Sequence, residues 1–390
     1  MTTQIIPERQ KLQFLDGLRG LAAIYVMIGH ARWLLWEGYA QYQAHPEQYS
    51  TLNKMATYFF SLFRYGHEVV LFFFVLSGFV IHLKYARNYS QQKPTIFRYR
   101  EYLVKRIRRI YPPFIFALIL TFILDRCGMI LGFPIYNGSS PYSLINDNLA
   151  NPDLSIVALL GNLSFVFENY LPLFGTNGPA WSLKYEWWFY MLYPIFLLIG
   201  TKRILYPTLL IIVLFILSFF PTLWPEKLLP DIFSMMITWW FGVLLAEIYV
   251  GRIKFKFQYV AWCGIAILAF LLPFTVPKIM SDVVMALFFF GVIALLLSLD
   301  VSNQIVRRLA AMKLLGDFSY TLYITHFPII VFMSGWVMKV NGGLLPANFL
   351  YVVAGIVVTL MTAYIFHFFT ELPFIRVKNH NNRGVLKLPS

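Results

Sequence analysis

The sequence predicts an all-α fold: a polytopic transmembrane bundle of about ten spanning helices, with one short outer segment that does not cross. Three observations carry this. Hydrophobic residues make up 59% of the chain and charged residues only 13%, with a mean hydropathy of +0.64. Apolar runs recur at about 17 to 25 residues, the length that crosses a hydrocarbon core. The 32 Lys and Arg residues gather in alternate loops, the charge asymmetry of a multi-pass protein.

In order, the expected spans are 18–36, 68–84, 111–128, 183–200, 203–220, 233–250, 258–274, 281–299, 316–338 and 347–370. The first follows Arg9 and Lys11, but no small-residue cleavage site comes after it and Arg19 and His30 interrupt it. It therefore reads as an uncleaved helix rather than a signal peptide. The segment SIVALLGNLSFVFE at 155–168 is fourteen residues long, short for a crossing and suited to an interfacial or re-entrant piece.

Loop charge supports that reading. With 155–168 uncrossed, both termini share a side with the loops near 84–110, 201–203, 251–257 and 300–315, and these regions hold 23 Lys or Arg against 5 in the opposite loops. The positive-inside rule makes the basic side cytoplasmic, so an inner-membrane protein with both ends in the cytoplasm is expected. Residues 1–375 would form the integral membrane domain and 376–390 a cytoplasmic tail, with no soluble domain. The long outer loops, 37–67 and 129–182, are punctuated by Pro46, Pro134, Pro141, Pro152, Pro172 and Pro179 and are expected to be turn-rich. No internal repeat is evident, which disfavours repeat-built transporter folds. Cys127 and Cys263 lie in apolar surroundings, so packing roles rather than disulfides are expected. The net charge of +14 reads as topology and contact with membrane lipids, not as nucleic-acid binding.

Chemistry-bearing residues interrupt the apolar runs. Arg19 and His30 are eleven residues apart, about three turns, so they share one helix face at a separation of about 16 Å along the axis. Ionisable groups at membrane depth cost at least about 2.5 kcal/mol and by default mark a pathway or reaction site. His30 is the candidate general base, since imidazole titrates at about 6.5. Asp16, one turn earlier, could neutralise Arg19. The plainer alternative has Arg19 snorkelling to the interface and His30 hydrogen-bonding within the bundle.

The stretch from Lys84 to Pro113 has nine basic residues and one acid, Glu101. Its end presents Arg106, Arg108 and Arg109, of which the first and last share a helix face. Guanidinium forks suit a phosphate-bearing cytoplasmic ligand, while anionic headgroups would account for them equally. Trp181, Ser182, Tyr185 and Glu186 open the fourth span. Glu186 could orient His30 or bind a sugar hydroxyl, and the aromatics also suit an interfacial belt. His326 lies about ten residues into the ninth span and is a further candidate. No metal site is expected, because the histidines are scattered without an HExxH pattern. Neither a GxSxG elbow nor a Walker loop occurs.

Together these stretches resemble the acyltransferase-3 family of integral membrane acyltransferases. FLDGLRGLAAIYVMIGH is similar to its opening motif, an arginine, ten residues and a histidine, at Arg19 and His30. FFFVLSGFVI at 72–81 resembles the second-helix signature, Arg106 to Arg109 the RxxR element, WSLKYEWWFYMLYP the WS-x3-E segment at Glu186, and GDFSYTLYITHFP the late motif ending at His326. The resemblance implies a ten-helix core, a cytoplasmic acyl-CoA donor, usually acetyl-CoA, and transfer to a hydroxyl of a surface or lipid-linked glycan across the membrane. Trp187 follows Glu186 where the family often has a second acid, and TELPFIR lacks the basic residue often placed between its final Glu and Pro. Some members carry a fused extracytoplasmic esterase-like domain. None is seen here, so direct acylation or a separate extracytoplasmic partner is expected.

On this reading Arg106, Arg109 and Arg108 hold the CoA phosphates, His30 deprotonates the acceptor with Arg19 and Glu186 in support, and Asp16, Trp181, Ser182, Tyr185 and His326 serve the acceptor or stand behind these groups. A covalent acyl-histidine is the alternative route. The rival from another class is a transporter or channel for an anionic or sugar-containing solute, which would use the same intramembrane charges without consuming a thioester.

Overall fold

The computed structural model describes residues 11–93, 97–200, 203–256, 259 and 277–376. Among these described residues nine helices form the frame: α1 Gln13–Leu34, α2 Gly66–Ser90, α3 Tyr99–Ile130, α4 Trp181–Ile199, α5 Leu205–Ser218, α6 Leu228–Tyr249, α7 Lys278–Ser298, α8 Ser319–Val340 and α9 Leu350–Thr370. Each overlaps an expected span. The remaining span, 258–274, apart from residue 259, and the tail from residue 377 lie outside the described residues. Among those described, the only β feature is an isolated bridge between Phe167 and Leu171.

Among the described residues, six stretches are apolar and long enough to cross a membrane: Thr51–Ser90, Tyr99–Ile130, Leu228–Tyr249, Lys278–Ser298, Ser319–Val340 and Leu350–Phe374. The chain is therefore an all-α, multi-pass membrane protein. At 22 and 19 residues, α1 and α4 also have spanning length, but they carry Asp16, Arg19 and Arg32, and Lys184 and Glu186. Asp16, Arg19 and Glu186 line the cavity described below, and Lys184 is buried. α5 has 14 residues, about 21 Å of helix.

Apolar surface gains little by leaving lipid for protein, so close backbone approach and polar contacts decide which helices pair. The most extensive pairing joins α2 to α6. There a Cβ placed on Gly242 would lie 1.9 Å from the Val75 carbonyl oxygen, so only glycine permits the approach. α8 packs on α1, α3 and α9. The basic loop at 300–315 holds two short helices, Gln304–Ala311 and Lys313–Asp317. The second meets α1 so closely that a Cβ on Gly316 would stand 2.0 Å from the Asp16 carbonyl oxygen. That approach sets Arg19 against the start of α8.

Both long loops differ from the turn-rich expectation. Within 37–67, Gly38–Ala44 and Thr51–Ser61 are helical. Ser50 caps the second helix by accepting from the Asn53 N–H at 3.3 Å. Ala56 and Phe60 face the bundle while Leu52, Met55, Phe59 and Leu62 are exposed, the two-sided pattern of a helix lying at a membrane interface. In 129–182, Ile156–Leu163 is helical over eight residues, about 12 Å, too short to cross.

After it the chain turns inward, and Phe165, Phe167, Phe174, Thr176 and Asn177 are buried. Irregular backbone at this depth requires protein partners for its polar groups. Asp125 accepts from the Thr176 N–H at 2.8 Å and its hydroxyl at 2.9 Å. Pro328, lacking an N–H, leaves the Ile324 carbonyl without its helical partner, and Asn177 Nδ2 donates to that oxygen at 2.9 Å. Phe165 and Glu168 take φ of +55° and +64°, left-handed values that side chains of this size rarely adopt. The expected packing role for Cys127 does not hold, since its place on α3 leaves it exposed. Cys263 lies outside the described residues.

Candidate active site

A cavity of about 590 Å³ runs between α1, α2, α3, α4 and α8, within the roughly 300–1,000 Å³ typical of small-molecule sites. Five cations line it, Arg19, Lys84, Arg87, Arg106 and Arg109, against two carboxylates, Asp16 and Glu186. The excess of positive charge suits a ligand with several anionic groups.

Each charge is held differently. Arg19 Nε donates to Ser319 Oγ at 2.8 Å, Nη2 donates to the Gly316 carbonyl, and Nη2 lies 3.5 Å from Asp16 Oδ1. The Asp16–Arg19 pairing expected from their spacing is present. The Arg106 guanidinium sits 5.2 Å from the ring centres of both Tyr102 and Tyr190, and its Nε has no hydrogen-bond partner among the described residues. Arg109 feels the charges of Glu371 and Glu186. Arg108 does not join them. It is exposed and absent from the wall, because one helical step from Arg109 turns it by about 100°.

Glu186 accepts from Tyr190 OH, one turn along α4, and from Ser77 Oγ at 3.3 Å. Trp239 Nε1 donates to the same serine at 3.2 Å. Glu186 therefore does not orient His30: its own helix and α2 supply its partners. Pro194 removes the N–H that would have met the Tyr190 carbonyl, and Tyr102 OH donates there at 3.0 Å. That bond fixes α3, and Arg106 with it, against α4.

At the end of the cavity away from Arg106, Ser182 Oγ and Tyr323 OH are 2.7 Å apart. Behind Tyr323 lies His326, with ring centres 5.9 Å apart, and then His30, whose ring is 5.2 Å from that of His326 and 4.8 Å from that of Phe327. His326 Nδ1 is 2.7 Å from the Tyr323 carbonyl oxygen and 3.1 Å from that of Leu322. Carbonyls only accept, so Nδ1 carries the hydrogen. His326 Nε2 and His30 Nδ1 are left buried without partners among the described residues. Arg19 and His30 both meet α8, as their shared face requires. Yet His30 is not part of the cavity wall; Tyr323 and Phe73, both wall residues, pack 5.7 Å apart in front of His326.

Trp181 and Tyr185 are also outside the wall. Trp181 stacks on His67, and Tyr185 OH donates to Asp231 Oδ1 at 2.6 Å. Sequence reasoning missed Ser77, Tyr190, Tyr320, Tyr323 and Glu371. A polar residue inside an apolar run was the available signal for the first. Glu371, 2% exposed, accepts from Thr321 Oγ1 at 2.9 Å and lies 3.0 Å from His367 Nδ1. Its signal was a lone carboxylate closing the last span. No group of three His, Cys, Asp or Glu among the described residues is arranged to hold a metal ion.

The acyltransferase-3 family pattern, described as an acyltransferase domain, matches residues 12–368 and so takes in every residue of the cavity wall. The chain belongs to the acyltransferase-3 family. It is 26% identical over 275 residues to the peptidoglycan O-acetyltransferase OatA of Listeria monocytogenes, a match covering 68% of this chain and 35% of that protein. The match thus spans about a third of that relative's length. Acyltransferase MdmB of Streptomyces mycarofaciens is 26% identical over 359 residues, covering 83% of this chain and 80% of its own. No solved structure matches.

Proposed function

We propose that this protein is a membrane-bound O-acyltransferase that moves an acyl group, acetyl by preference, from cytoplasmic acyl-CoA to a hydroxyl of an extracytoplasmic glycan. The observation that carries the reading is a cavity whose five cations converge in a chain of the acyltransferase-3 family. The names of OatA, a peptidoglycan O-acetyltransferase, and MdmB, an acyltransferase, support the reaction class. The basic end of the bundle faces the cytoplasm on the loop-charge argument, which puts both termini on the cytoplasmic side of an inner membrane.

On this reading Arg106 and Arg109 bind CoA phosphates as charge-assisted forks, and the pantetheine arm passes Arg19 toward Ser182. The acceptor oxygen attacks the thioester carbon, so a C–O bond forms as the C–S bond breaks. His30 takes the hydroxyl proton and returns it to the departing thiolate, with the Tyr323 ring swinging aside to admit it. Arg19, held by Ser319, stabilises the negative charge that develops on the carbonyl oxygen.

The deciding experiment follows free thiol released from acetyl-CoA by purified protein in membranes from the producing cell, with and without their glycan. Acceptor-dependent release that disappears in His30→Ala, while the variant stays folded and binds CoA, supports the assignment. Full release in that variant would remove His30 as base, and no release by the unaltered protein would remove the enzyme reading.

A further inference from the structure

Inside the bundle, three histidines among the described residues are hydrogen-bonded to carboxylates, and they are not equivalent. His82, 2% exposed, is closed at both ring nitrogens, Nδ1 being 2.7 Å from Tyr193 OH and Nε2 2.6 Å from Glu247 Oε1. His367 and Glu371 are almost fully enclosed. His67 is the open one. Its Nε2 lies 2.8 Å from Asp282 Oδ1, and its side chain is 29% exposed while that of Asp282 is 3% exposed.

With the Nε2 hydrogen directed at the carboxylate, Nδ1 offers its lone pair elsewhere, and no group among the described residues takes it. Asp282 Oδ2 is likewise buried without a partner. The His67 ring stacks on the Trp181 indole, with centres 5.1 Å apart and planes at 18°. Trp181 meets the edge of Phe74 at 6.3 Å. Phe74, Ser182 and Val70, one turn from His67, all belong to the cavity wall. The stack therefore stands beside the Ser182 end of the cavity, away from Arg106.

Charge narrows the ligand. Lys184, 2% exposed, is matched by Glu168 at 3.2 Å and Asp231 at 3.1 Å, so it brings no surplus cation for a phosphate or carboxylate. An aromatic surface beside an imidazole acceptor and a buried carboxylate fits a neutral, hydroxyl-rich ring, whose C–H face covers the rings while its hydroxyl donates to nitrogen.

We infer that His67, Asp282 and Trp181 form the acceptor subsite, and that it takes an uncharged sugar whose hydroxyl donates to His67 Nδ1. The subsite rests on the O-acyltransferase reading above, because it supplies the hydroxyl-bearing partner that the cationic cavity lacks.

Saturation-transfer NMR from the detergent-purified full chain to methyl glucoside, methyl galactoside and methyl N-acetylglucosaminide tests it, with CoA affinity measured calorimetrically on the same samples. At least one glycoside should receive saturation from the unaltered protein. Its affinity should fall at least tenfold in His67→Ala and in Trp181→Ala and recover in part in Trp181→Phe, with CoA affinity within twofold throughout. No transfer to any glycoside, or equal transfer in His67→Ala, overturns the subsite. Should His67→Ala also lose CoA binding and so prove misfolded, Asp282→Asn, which preserves volume, decides by the same criterion. Absence of CoA binding to the unaltered protein would overturn the donor reading and leave the sugar result to stand or fall separately.

Discussion

Lys184 on α4 and Arg106 on α3, the latter packed against Tyr190 of α4, are two cations near Glu186 that the fold treats in opposite ways. Lys184 Nζ donates to Glu168, Asn169 and Asp231 at 3.0 to 3.2 Å, and Asn169 Nδ2 in turn donates to Asp231 at 3.0 Å. Arg106 rests on two tyrosine faces with Nε unpartnered among the described residues, at the wall of a cavity. A cation surrounded by acceptors has spent its hydrogen bonds on the fold. One resting on aromatic faces with its Nε unpartnered keeps that donor for a ligand. The same contrast separates His82, closed at both nitrogens, from His30, whose Nδ1 has no partner.

The sharpest way to break this comparison is at the histidines. Loss of a general base costs about 10² to 10⁴ in rate, so His30→Ala should lower kcat by that order in a thiol-release assay and leave thermal stability near the starting value. Next is the cationic wall. Hydrogen bonds to charged groups contribute about 1.5 to 3 kcal/mol each, so Arg106→Ala together with Arg109→Ala should raise the acetyl-CoA KM by about a hundredfold or more. A fall in kcat alone would show that these arginines do not bind donor.

Lys184→Met should act on the fold instead. Removing one member of a buried ion pair is strongly destabilising, and the partial exposure of Glu168 and Asp231 reduces the effect to about 2 kcal/mol. That loss should appear in detergent melting with the donor KM unchanged. The smallest effect belongs to Arg108→Ala. This residue is exposed and outside the wall, so donor KM should stay within about twofold; a larger rise would place the CoA phosphates on the outer face of α3.

Much of this was legible in the chain because a bilayer simplifies the reading. The spans at α2, α3, α6 and α9 follow from apolar runs of the required length. Arg19 and Glu186 were singled out as polar interruptions of apolar runs, Asp16 as the neighbour of Arg19, Arg106 and Arg109 as the end of a basic loop and Ser182 as part of the opening of the fourth span, and all six reach the cavity wall. What misled was proximity inferred from depth. Orienting His30 was one of two roles read for Glu186, yet Tyr190 and Ser77 take up the carboxylate. Arg108 was grouped with its neighbours although its helical angle turns it outward. The helix at Thr51–Ser61 was hidden by Asn53 and Lys54, and its exposed apolar stripe shows only once the helical register is applied.

The sequence by itself determined span lengths, the sidedness of charge and the common face of Arg19 and His30, because bilayer thickness and 3.6 residues per turn are fixed quantities that any apolar run must obey. Only the tertiary structure decided which polar groups meet: Tyr323 standing between the cavity and the imidazoles, or Asp282 reaching His67 across 215 residues of chain. Those meetings depend on which helices come close, and that is set by backbone approach at points such as Gly242 and Gly316. An apolar periodicity, equally content against lipid or protein, carries no record of it.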